Sequence, residues 1–320
     1  METKEFRQDI VSGEWVLFST GRAKRPHVGQ EHQHVQQSKE QCPFEDLTQQ
    51  KIIWKDSGVT VIENKYPAVQ SGVCGPDKKV GPVLTHGAVG EHDILVFNDH
   101  DLQLHAFTPE LMLLAVRAYK KRARELEDQG ECTKYVMIFH NFGDEAGASI
   151  WHPHSQILAM PIIPPSVQRS VLGAQRFYDE HERKVHGVLM DWELQEQKRI
   201  VVENDSFVAY CPFASRKQGE IRIVPKNAQA FFIHSSEGED MQLASVLSSV
   251  LQRMSRALAE PAFNFYIHSA PVGESDADVY YTWHIEIVPK VKVDGGFELG
   301  TGIDINTIDP DAFAQQLRAA

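Results

Sequence analysis

The residues best suited to catalysis are concentrated in one segment, Asn141 to Gln156, where a predicted buried strand leads into a loop of small residues and then into His-Pro-His-Ser-Gln. Alternate side chains of an extended chain share a face, so we expect His152, His154 and Gln156 to line one face of a strand. A neutral imidazole can attack phosphorus and leave again, which makes His154 a candidate nucleophile for a phosphoryl or nucleotidyl group. Gln156 can donate a hydrogen bond to a non-bridging oxygen as charge develops there.

Two other groups of residues are suited to binding phosphate. In the small-residue loop, Gly147 and Ser149 can offer donors to phosphate oxygens. Near the N-terminus, Arg22 and Arg25 flank Lys24 and form a candidate anion clamp in an otherwise acidic protein. The alternatives are a solvated basic turn and a strand with two hydrogen-bonded histidines. Two histidines and a glutamine at a spacing of two, after a Gly/Ala/Ser loop, favour the functional interpretation.

Composition excludes several classes of protein. The 320 residues fit one large domain or two of ordinary size, and 42% hydrophobic with 24% charged residues excludes a wholly disordered chain. A net charge of -12 disfavours a general nucleic-acid binder. No apolar run approaches the ~20 residues that span a bilayer, and the charged N-terminus lacks the apolar core of a signal peptide. We therefore expect no membrane partner, no polymeric nucleic acid and a cytoplasmic location.

Cysteine usage agrees with a reducing compartment. Four cysteines are too few for a disulfide framework, and by default we expect each to be a small buried hydrophobe; only Cys42 has neighbours that suggest a further role. They are Cys42, Cys74, Cys132 and Cys211.

The elements that must position the motif recur in two similar series. VIENKYPA (61–68) resembles VVENDSFVA (201–209), and HPHSQILAMP (152–161) corresponds to TWHIEIVPK (282–290). A loose repeat of this kind predicts an α+β fold of two tandem units, 1–185 and 186–320, with antiparallel sheets and packed helices. The predicted strands are 58–63, 92–97 and 134–140 in the first unit and 206–211, 219–225, 263–268 and 283–288 in the second.

Capping residues and hydrophobic spacing predict the helices of both units. Thr108-Pro109 begins a helix that ends before Gly130, and an amphipathic helix spans 238–259. We also expect a strand, turn and strand over 8–19, loops over 28–41 and 70–91, a helical region from Pro164 to 198, and a short helix from Pro310.

Five blocks spread over most of the chain carry a family resemblance: RQDIVSGEWVLFSTGRAKRP (7–26), NKYPAV (64–69), HPHSQ (152–156), YTWHIEIVPK (281–290) and GFELGTGIDIN (296–306). In this order they resemble galactose-1-phosphate uridylyltransferases, the nucleotidyltransferase branch of the histidine-triad superfamily. That family joins two histidine-triad-like units, in agreement with the repeat. The resemblance implies ping-pong transfer with a nucleotide sugar and a sugar 1-phosphate as partners. It also implies a homodimer whose active site borrows residues from the neighbouring subunit.

The same resemblance assigns roles to individual residues. His154 matches the nucleophile that forms a nucleotidyl-histidine, and Gln156 and Ser149 match residues that contact the transferring phosphoryl group. The implied substrate-binding residues are Arg22 and Arg25 near the diphosphate or sugar phosphate, Asn64 and Tyr66 at the nucleoside, Asn141 and Gly147 in the active-site loop, and Lys292 and Glu298 at the hexose.

A structural zinc site is also implied by the resemblance. Its matching positions are Cys42, Glu45, His100 and His152, with Cys-Pro-Phe-Glu where the family has a Cys-x-x-Cys pair. Zinc accepts sulfur, nitrogen and oxygen ligands in tetrahedral geometry, so we expect a retained but weakened site. The alternative is a buried cysteine, a surface glutamate and a hydrogen-bonded histidine.

Some family members hold a second metal, iron, through a glutamate and three histidines. The matching positions here are Ser170, His268, Thr282 and His284. Two of the four ligands are missing, so we expect no iron site and structural roles for His268 and His284.

Two alternative functions stay open. ADP-sugar phosphorylases and dinucleoside-polyphosphate phosphorylases share this architecture, with adenosine as the base and inorganic phosphate as the acceptor, and Ser155 does not separate them from the uridylyltransferases. The other alternative is a catalytically silent nucleotide-binding protein. The altered zinc motif favours it, and the intact His154 and Gln156 argue against it.

Overall fold

The chain folds into strands and helices that follow the predicted order. The computed structural model describes residues 2–24, 36–130, 132–292 and 294–320, with residues 23, 24 and 129 described by their backbone alone. The strands are β1 Lys4–Gln8, β2 Trp15–Ser19, β3 Ile52–Asp56, β4 Val59–Glu63, β5 Lys78–Val80, β6 Val83–Thr85, β7 Glu91–Phe97, β8 Tyr135–Phe142, β9 His154–Met160, β10 Ile200–Glu203, β11 Phe207–Tyr210, β12 Ile221–Pro225, β13 Phe263–His268, β14 His284–Pro289 and β15 Asp304–Asn306. The helices are α1 Pro109–Gln129, α2 Pro165–His181, α3 Val185–Glu196, α4 Glu237–Ala257, α5 Ala277–Tyr280, α6 Gly296–Thr301 and α7 Pro310–Ala319.

Ten strands form one antiparallel sheet in the order β10-β11-β12-β14-β13-β8-β9-β7-β4-β3. Counted from its two ends, the sheet repeats one arrangement, because β3, β4, β7, β9 and β8 of the first half correspond to β10, β11, β12, β14 and β13 of the second. The halves meet where β13 pairs with β8, from Phe263 opposite Phe142 to Ile267 opposite Ile138. The α+β class and the internal repeat are therefore confirmed, with both units sharing a single sheet. The boundary between residues 185 and 186 stays a prediction.

Helices α1 and α4 pack together on one face of this sheet and leave the other face to the motif. The hydroxyl of Tyr119, on α1, lies 2.6 Å from Oγ of Ser155, on β9. Because successive side chains of a strand alternate, His154 and Gln156 point away from α1. A small apolar cluster covers the sheet on their side, formed by Cys42, Phe44, Ile62, Ile94 and Val96.

Several elements differ from the sequence expectation. The helical region after Pro164 is two helices, interrupted where Glu182 adopts a left-handed conformation with φ of 53°. The predicted loop 70–91 contains the hairpin β5–β6. Strands β1, β2 and β15 form a separate small sheet in which β15 pairs with β2 in parallel. The predicted loop 28–41 lies mostly outside the described residues. Of the described helices, none combines the length and apolarity needed to cross a bilayer.

The expectation that every cysteine is a free buried hydrophobe was wrong for two of the four. Cys42 and Cys211 are free and buried, but Cys74 and Cys132 form a disulfide bond with a Cα–Cα distance of 5.7 Å. Cys74 is an exposed residue of the loop that follows Gln70, and Cys132 lies in the turn after α1. The sequence separation of 58 residues gave no local signal for the pair, because only the folded sheet brings the loop next to the turn.

Burial of His140 beneath the motif predicts a stability loss in acid. Desolvation lowers the pKa of this imidazole to about 3, whereas an unfolded chain protonates it below about 6.5. Between these values the unfolded state binds more protons, so the free energy of unfolding falls with decreasing pH by about 1.4 kcal/mol per pH unit. His140→Asn keeps an amide beside Ser155, the present partner of His140 Nδ1 at 3.2 Å, but does not titrate. Urea unfolding of both proteins from pH 7.5 to 5 should show a flatter profile for the variant, and parallel profiles would contradict the assignment.

Candidate active site

His154, the candidate nucleophile, is the first residue of β9 and is held in one tautomer. Its Nδ1 lies 2.9 Å from the carbonyl oxygen of His152, and since a carbonyl only accepts, Nδ1 carries the proton. The Nε2 atom therefore carries a lone pair, and among the described residues it has no hydrogen-bond partner. Burial lowers the pKa of His154, which keeps the ring neutral at neutral pH. The edge of Phe44 packs against the same ring, with centroids 5.2 Å apart. A buried neutral imidazole with an open Nε2 suits nucleophilic attack.

Gln156 lies two residues further along β9, on the face that it shares with His154. Its Oε1 lies 2.9 Å from Nε2 of His92, on the neighbouring strand β7. The strand register places Ile94 opposite Gln156, so His92 is its diagonal neighbour on the same face. This contact occupies the oxygen end of the glutamine amide and leaves the nitrogen end available to a ligand.

The small-residue loop before β9 encloses a cavity of about 210 Å³. Asn141 lines it, and its Oδ1 accepts a hydrogen bond of 2.7 Å from Asn264 on β13. Gly147 has φ of 84°, a conformation that favours glycine, and a Cβ there would meet no atom within 4 Å. Ser149 also lines the cavity, and its carbonyl accepts a hydrogen bond of 3.1 Å from the amide of Gln37. The loop therefore offers open backbone beside the motif.

Three of the four predicted metal ligands, Cys42, His100 and His152, converge on one point, with one donor atom of each within 4.8 Å of the other two, and the carboxylate of Glu45 approaches the two histidines. Nδ1 of His100 lies 3.2 Å from Nδ1 of His152, and Oε1 of Glu45 lies 3.1 Å and 3.4 Å from these two atoms. Sγ of Cys42 lies 3.5 Å from Nδ1 of His152. Ligand bonds of about 2.0–2.3 Å in a tetrahedron imply ligand separations of about 3.3–3.8 Å. The spacing therefore fits a bound metal ion.

Hydrogen bonds to the outer nitrogens of both imidazoles support the same conclusion. Nε2 of His100 lies 2.9 Å from the carbonyl of Gln37, and Nε2 of His152 lies 2.6 Å from the carbonyl of Phe97. Both Nε2 atoms must therefore be protonated, and both Nδ1 lone pairs face each other. This pattern is typical of metal-bound histidines, because two facing lone pairs repel unless a cation lies between them.

The second repeat places Thr282, His284 and Glu286 where the first has His152, His154 and Gln156. Donor atoms of His268, His284 and Glu286 lie within 4.8 Å of one another. Nδ1 of His284 faces the carbonyl of Thr282 at 3.3 Å, so the hydrogen bond predicted for this histidine is present.

A guanidinium group lies beside this second cluster. Nη2 of Arg222 lies 3.1 Å from Oε1 of Glu286 and also reaches Asp9 and Glu220. The guanidinium of Arg222 therefore neutralises the Glu286 carboxylate. At two of the four positions that match the family's iron ligands, this chain has Ser170 and Thr282 instead of a glutamate or histidine. The expectation of no iron site stays a prediction.

The predicted nucleoside residues lie at the end of β4. Oδ1 of Asn64 accepts a hydrogen bond of 2.9 Å from the backbone nitrogen of Tyr66, and its Nδ2 lies 3.3 Å from Nε2 of His92. Tyr66 is 80% exposed and is not a core residue, and Nζ of Lys65 lies over its ring, 5.8 Å from the centroid.

The predicted sugar and diphosphate residues lie elsewhere in the chain. Nζ of Lys292 lies 2.6 Å from Oε1 of Glu298, whose other oxygen caps the start of α6. Arg22 lies in the 3-10 turn Thr20–Lys24 after β2, and Arg25 lies outside the described residues. Within the described part of the chain, no hydrogen bond or ion pair joins Arg22, Lys292 or Glu298 to His154 or Gln156.

Sequence reasoning missed two residues that touch the motif, Phe44 and His92. Phe44 lies inside the Cys-Pro-Phe-Glu segment and contacts the rings of both His152 and His154. His92 contacts Gln156. Only the position of Phe44 within a candidate metal loop gave any signal in the sequence.

Comparison with known proteins identifies the family. A family model described as galactose-1-phosphate uridyl transferase, N-terminal domain, matches residues 1–164. The chain belongs to the galactose-1-phosphate uridyl transferase family. As a member of this family it is a nucleotidyltransferase, which confirms the predicted family and enzyme class. A second model, described as a domain of unknown function (DUF4921), matches residues 110–320.

Relatives of this galactose-1-phosphate uridyl transferase family member span its full length. An ADP-glucose phosphorylase of Arabidopsis thaliana is 31% identical over 335 residues, covering 99% of this chain and 93% of the relative. A galactose-1-phosphate uridylyltransferase of Thermotoga maritima is 28% identical over 323 residues, covering 98% of each. The crystal structure of an ADP-glucose phosphorylase from Arabidopsis thaliana with bound ADP-glucose superposes with a TM-score of 0.84 at 29% identity and covers 99% of each chain.

Proposed function

We propose that this protein is a UDP-glucose–hexose-1-phosphate uridylyltransferase that works through a nucleotidyl-histidine on His154. The free Nε2 of His154 is the single observation that carries the proposal. The hydrogen bond from Nδ1 to the carbonyl of His152 fixes the reactive tautomer, and the same carbonyl stabilises the charge that the ring gains after attack.

The reaction has two balanced steps. His154 Nε2 attacks the α-phosphorus of the nucleotide sugar, an N–P bond forms, and the bond from that phosphorus to the bridging oxygen breaks, releasing a sugar 1-phosphate. A phosphate oxygen of a second sugar 1-phosphate then attacks the same phosphorus and the N–P bond breaks. The lability of the N–P bond makes histidine a suitable carrier.

Gln156, Ser149, Asn141 and Gly147 bind the transferring phosphoryl group in this proposal. The free amide nitrogen of Gln156 donates to a non-bridging oxygen, where one well-placed donor contributes about 10²–10³ in rate. The exposed loop backbone at Gly147 and the Ser149 hydroxyl complete the phosphate environment.

The two ends of the nucleotide sugar bind to different segments. Tyr66 and Asn64 receive the nucleoside, while Arg22, Arg25, Lys292 and Glu298 receive the diphosphate and hexose. Because the described members of this last group do not contact His154, a homodimer in which each subunit completes the other's site accounts for their separation.

Zinc is the proposed metal of the Cys42, Glu45, His100 and His152 site, because the sulfur and nitrogen donors of Cys42, His100 and His152 converge and the Glu45 carboxylate lies beside the two histidines as a candidate fourth ligand. Its role is structural. It would hold the backbone of His152, whose carbonyl orients His154. The protein is proposed to act in the cytoplasm, where the exposed Cys74–Cys132 disulfide would be subject to reduction.

A second candidate is an ADP-sugar phosphorylase, with inorganic phosphate as the acceptor. The 31% identity to the Arabidopsis thaliana ADP-glucose phosphorylase favours it. The chemistry at His154 is the same, so only the base and the acceptor differ.

Intact-protein mass spectrometry after incubation with each nucleotide sugar tests both proposals. We expect UDP-glucose to leave a uridylyl group on the protein and galactose 1-phosphate to remove it. An adenylyl group from ADP-glucose that inorganic phosphate removes would instead favour the phosphorylase. The matched control is His154→Asn, which should bind either nucleotide sugar without forming an adduct. Absence of any adduct on the wild-type protein would identify a silent nucleotide binder and contradict both enzymatic proposals.

A further inference from the structure

We propose that His92 is a positioning residue that fixes the amide of Gln156 with its nitrogen toward the transferring phosphoryl group and links this amide to the nucleoside segment. His92 lies on β7 and is buried. It contacts the motif through one ring nitrogen and the backbone after Asn64 through the other. The inference rests on the nucleotidyl transfer proposed for His154 and adds a residue to its machinery.

The tautomer of His92 follows from its backbone partner. The backbone nitrogen of Ala68 lies 3.0 Å from Nδ1 of His92. A backbone N–H only donates, so Nδ1 must accept and cannot carry a proton. In the neutral ring the proton then lies on Nε2. Both nitrogens thereby have a defined role before any substrate is bound.

That tautomer decides which way the Gln156 amide points. Nε2–H of His92 is a donor, and its partner at 2.9 Å is the Gln156 amide. Only the amide oxygen can accept, so Oε1 faces His92 and the NH₂ group faces away. Among the described residues, the NH₂ group makes no hydrogen bond. A reversed amide would present its oxygen to a phosphoryl oxygen and would repel it.

His92 also connects Gln156 to the proposed nucleoside segment. Ala68 lies two residues after Tyr66, and Oδ1 of Asn64 accepts from the backbone nitrogen of Tyr66. The Nδ2 atom of Asn64 lies 3.5 Å from Nδ1 and 3.3 Å from Nε2 of His92, and since Nε2 is protonated the second approach is a packing contact between two donors. The backbone nitrogen of Asn64 donates to the carbonyl of His92 at 2.9 Å. One imidazole therefore holds the 64–68 segment on one side and the phosphoryl-binding amide on the other.

Two substitutions separate these contacts. In His92→Asn, the Oδ1 atom can occupy the place of Nδ1 and still accept from Ala68, but the side chain is too short to reach Gln156. In His92→Gln, the Nε2 atom can still donate to Gln156, but Ala68 loses its acceptor. His92→Asn therefore tests the contact with Gln156, and His92→Gln tests the contact with Ala68, in two variants that both carry an amide in place of the imidazole.

Single-turnover nucleotidylation of the holoenzyme by UDP-glucose is the measurement, with ADP-glucose as the substitute if that is the substrate. His92→Asn should lower the saturated rate by about 100-fold, close to the effect of Gln156→Ala, with little change in the half-saturating concentration. His92→Gln should retain most of the rate and raise the half-saturating concentration on the order of tenfold, as for one lost hydrogen bond to the backbone. Equal losses of rate in both variants would overturn the proposal.

A double-mutant cycle distinguishes positioning from a general structural effect. If His92 acts on the rate through Gln156, the His92→Asn, Gln156→Ala double variant should be no slower than Gln156→Ala alone. Multiplicative losses would overturn the role of His92 while leaving nucleotidyl transfer intact. Absence of nucleotidylation in the wild-type protein would instead reject the proposed function, so the two failures are distinct.

Discussion

His154→Ala is expected to lower kcat for nucleotidyl transfer by about 10⁴-fold or more, because it removes the only group proposed to bond to phosphorus. Loss of a nucleophile costs on the order of 10⁴–10⁶ in other covalent enzymes, since the remaining groups still bind the substrate but offer no covalent route. The half-saturating concentration of nucleotide sugar should change far less than the rate. Initial-rate kinetics and isothermal titration of the nucleotide sugar measure the two effects separately.

The neighbouring residue Ser155 supplies the matched control. It lies on the same strand, but its hydroxyl points to Tyr119 and His140 on the helix-covered face. Ser155→Ala should therefore lower the melting temperature, because it removes the hydrogen bonds of this hydroxyl. It should leave kcat within about threefold of the wild-type value, because the surroundings of the reacting atoms are unchanged. Turnover by His154→Ala at more than a hundredth of the wild-type rate would reject His154 as the nucleophile.

Strand β9, which carries the proposed nucleophile, was predictable because its signal is local. Alternation of His152, His154 and Gln156 with Pro153 and Ser155 places both functional side chains of β9 on one face, and the opposite packing of Ser155 against α1 agrees with that prediction. The repeat was predictable for a related reason, since each copy carries its own alternating strands and its own amphipathic helix.

Residues that act across strands were not predictable from one sequence. His92 reaches Gln156 only because β7 pairs with β9 in a register that makes them diagonal neighbours, and the register depends on turns and packing far along the chain. The continuous sheet has the same origin, because β8 and β13 are separated by more than a hundred residues. The disulfide between Cys74 and Cys132 likewise depends on tertiary contact alone.

The candidate metal site was predictable only in part. The family resemblance located its four positions, but the Cys-Pro-Phe-Glu segment left open whether a carboxylate replaces the missing thiolate. The structure brings Oε1 of Glu45 within 3.1 Å of His100 Nδ1, slightly less than the separation of two tetrahedral ligands, and the group of converging donors is Cys42, His100 and His152. The same segment carries Phe44 onto the ring of His154, so a metal bound there would restrain the surroundings of the proposed nucleophile.

Removal of a metal ion from this site is expected to lower the stability of the fold substantially, the second-largest effect that we predict. Structural zinc contributes on the order of 10 kcal/mol of folding free energy in small zinc domains. Even a loss of several kcal/mol in a larger chain lowers the melting temperature by about 10 °C. The purified protein should contain about one zinc per chain, and chelation or His152→Ala should lower both zinc content and melting temperature. Elemental analysis and calorimetry on the same samples measure the two quantities together.

Substitutions of Glu45, the proposed carboxylate ligand, test its contribution to metal retention directly. Glu45→Cys restores a second thiolate and should strengthen metal retention against a chelator, whereas Glu45→Gln should weaken it, because an amide oxygen carries no charge to bind the cation. Glu40→Gln alters an exposed carboxylate of the neighbouring 3-10 turn Lys39–Gln41 and should leave retention unchanged. If Glu45→Gln holds its metal as firmly as Glu40→Gln does, the carboxylate is not a ligand. In that case, the close approach of Glu45 to the two imidazoles is an ordinary surface ion pair.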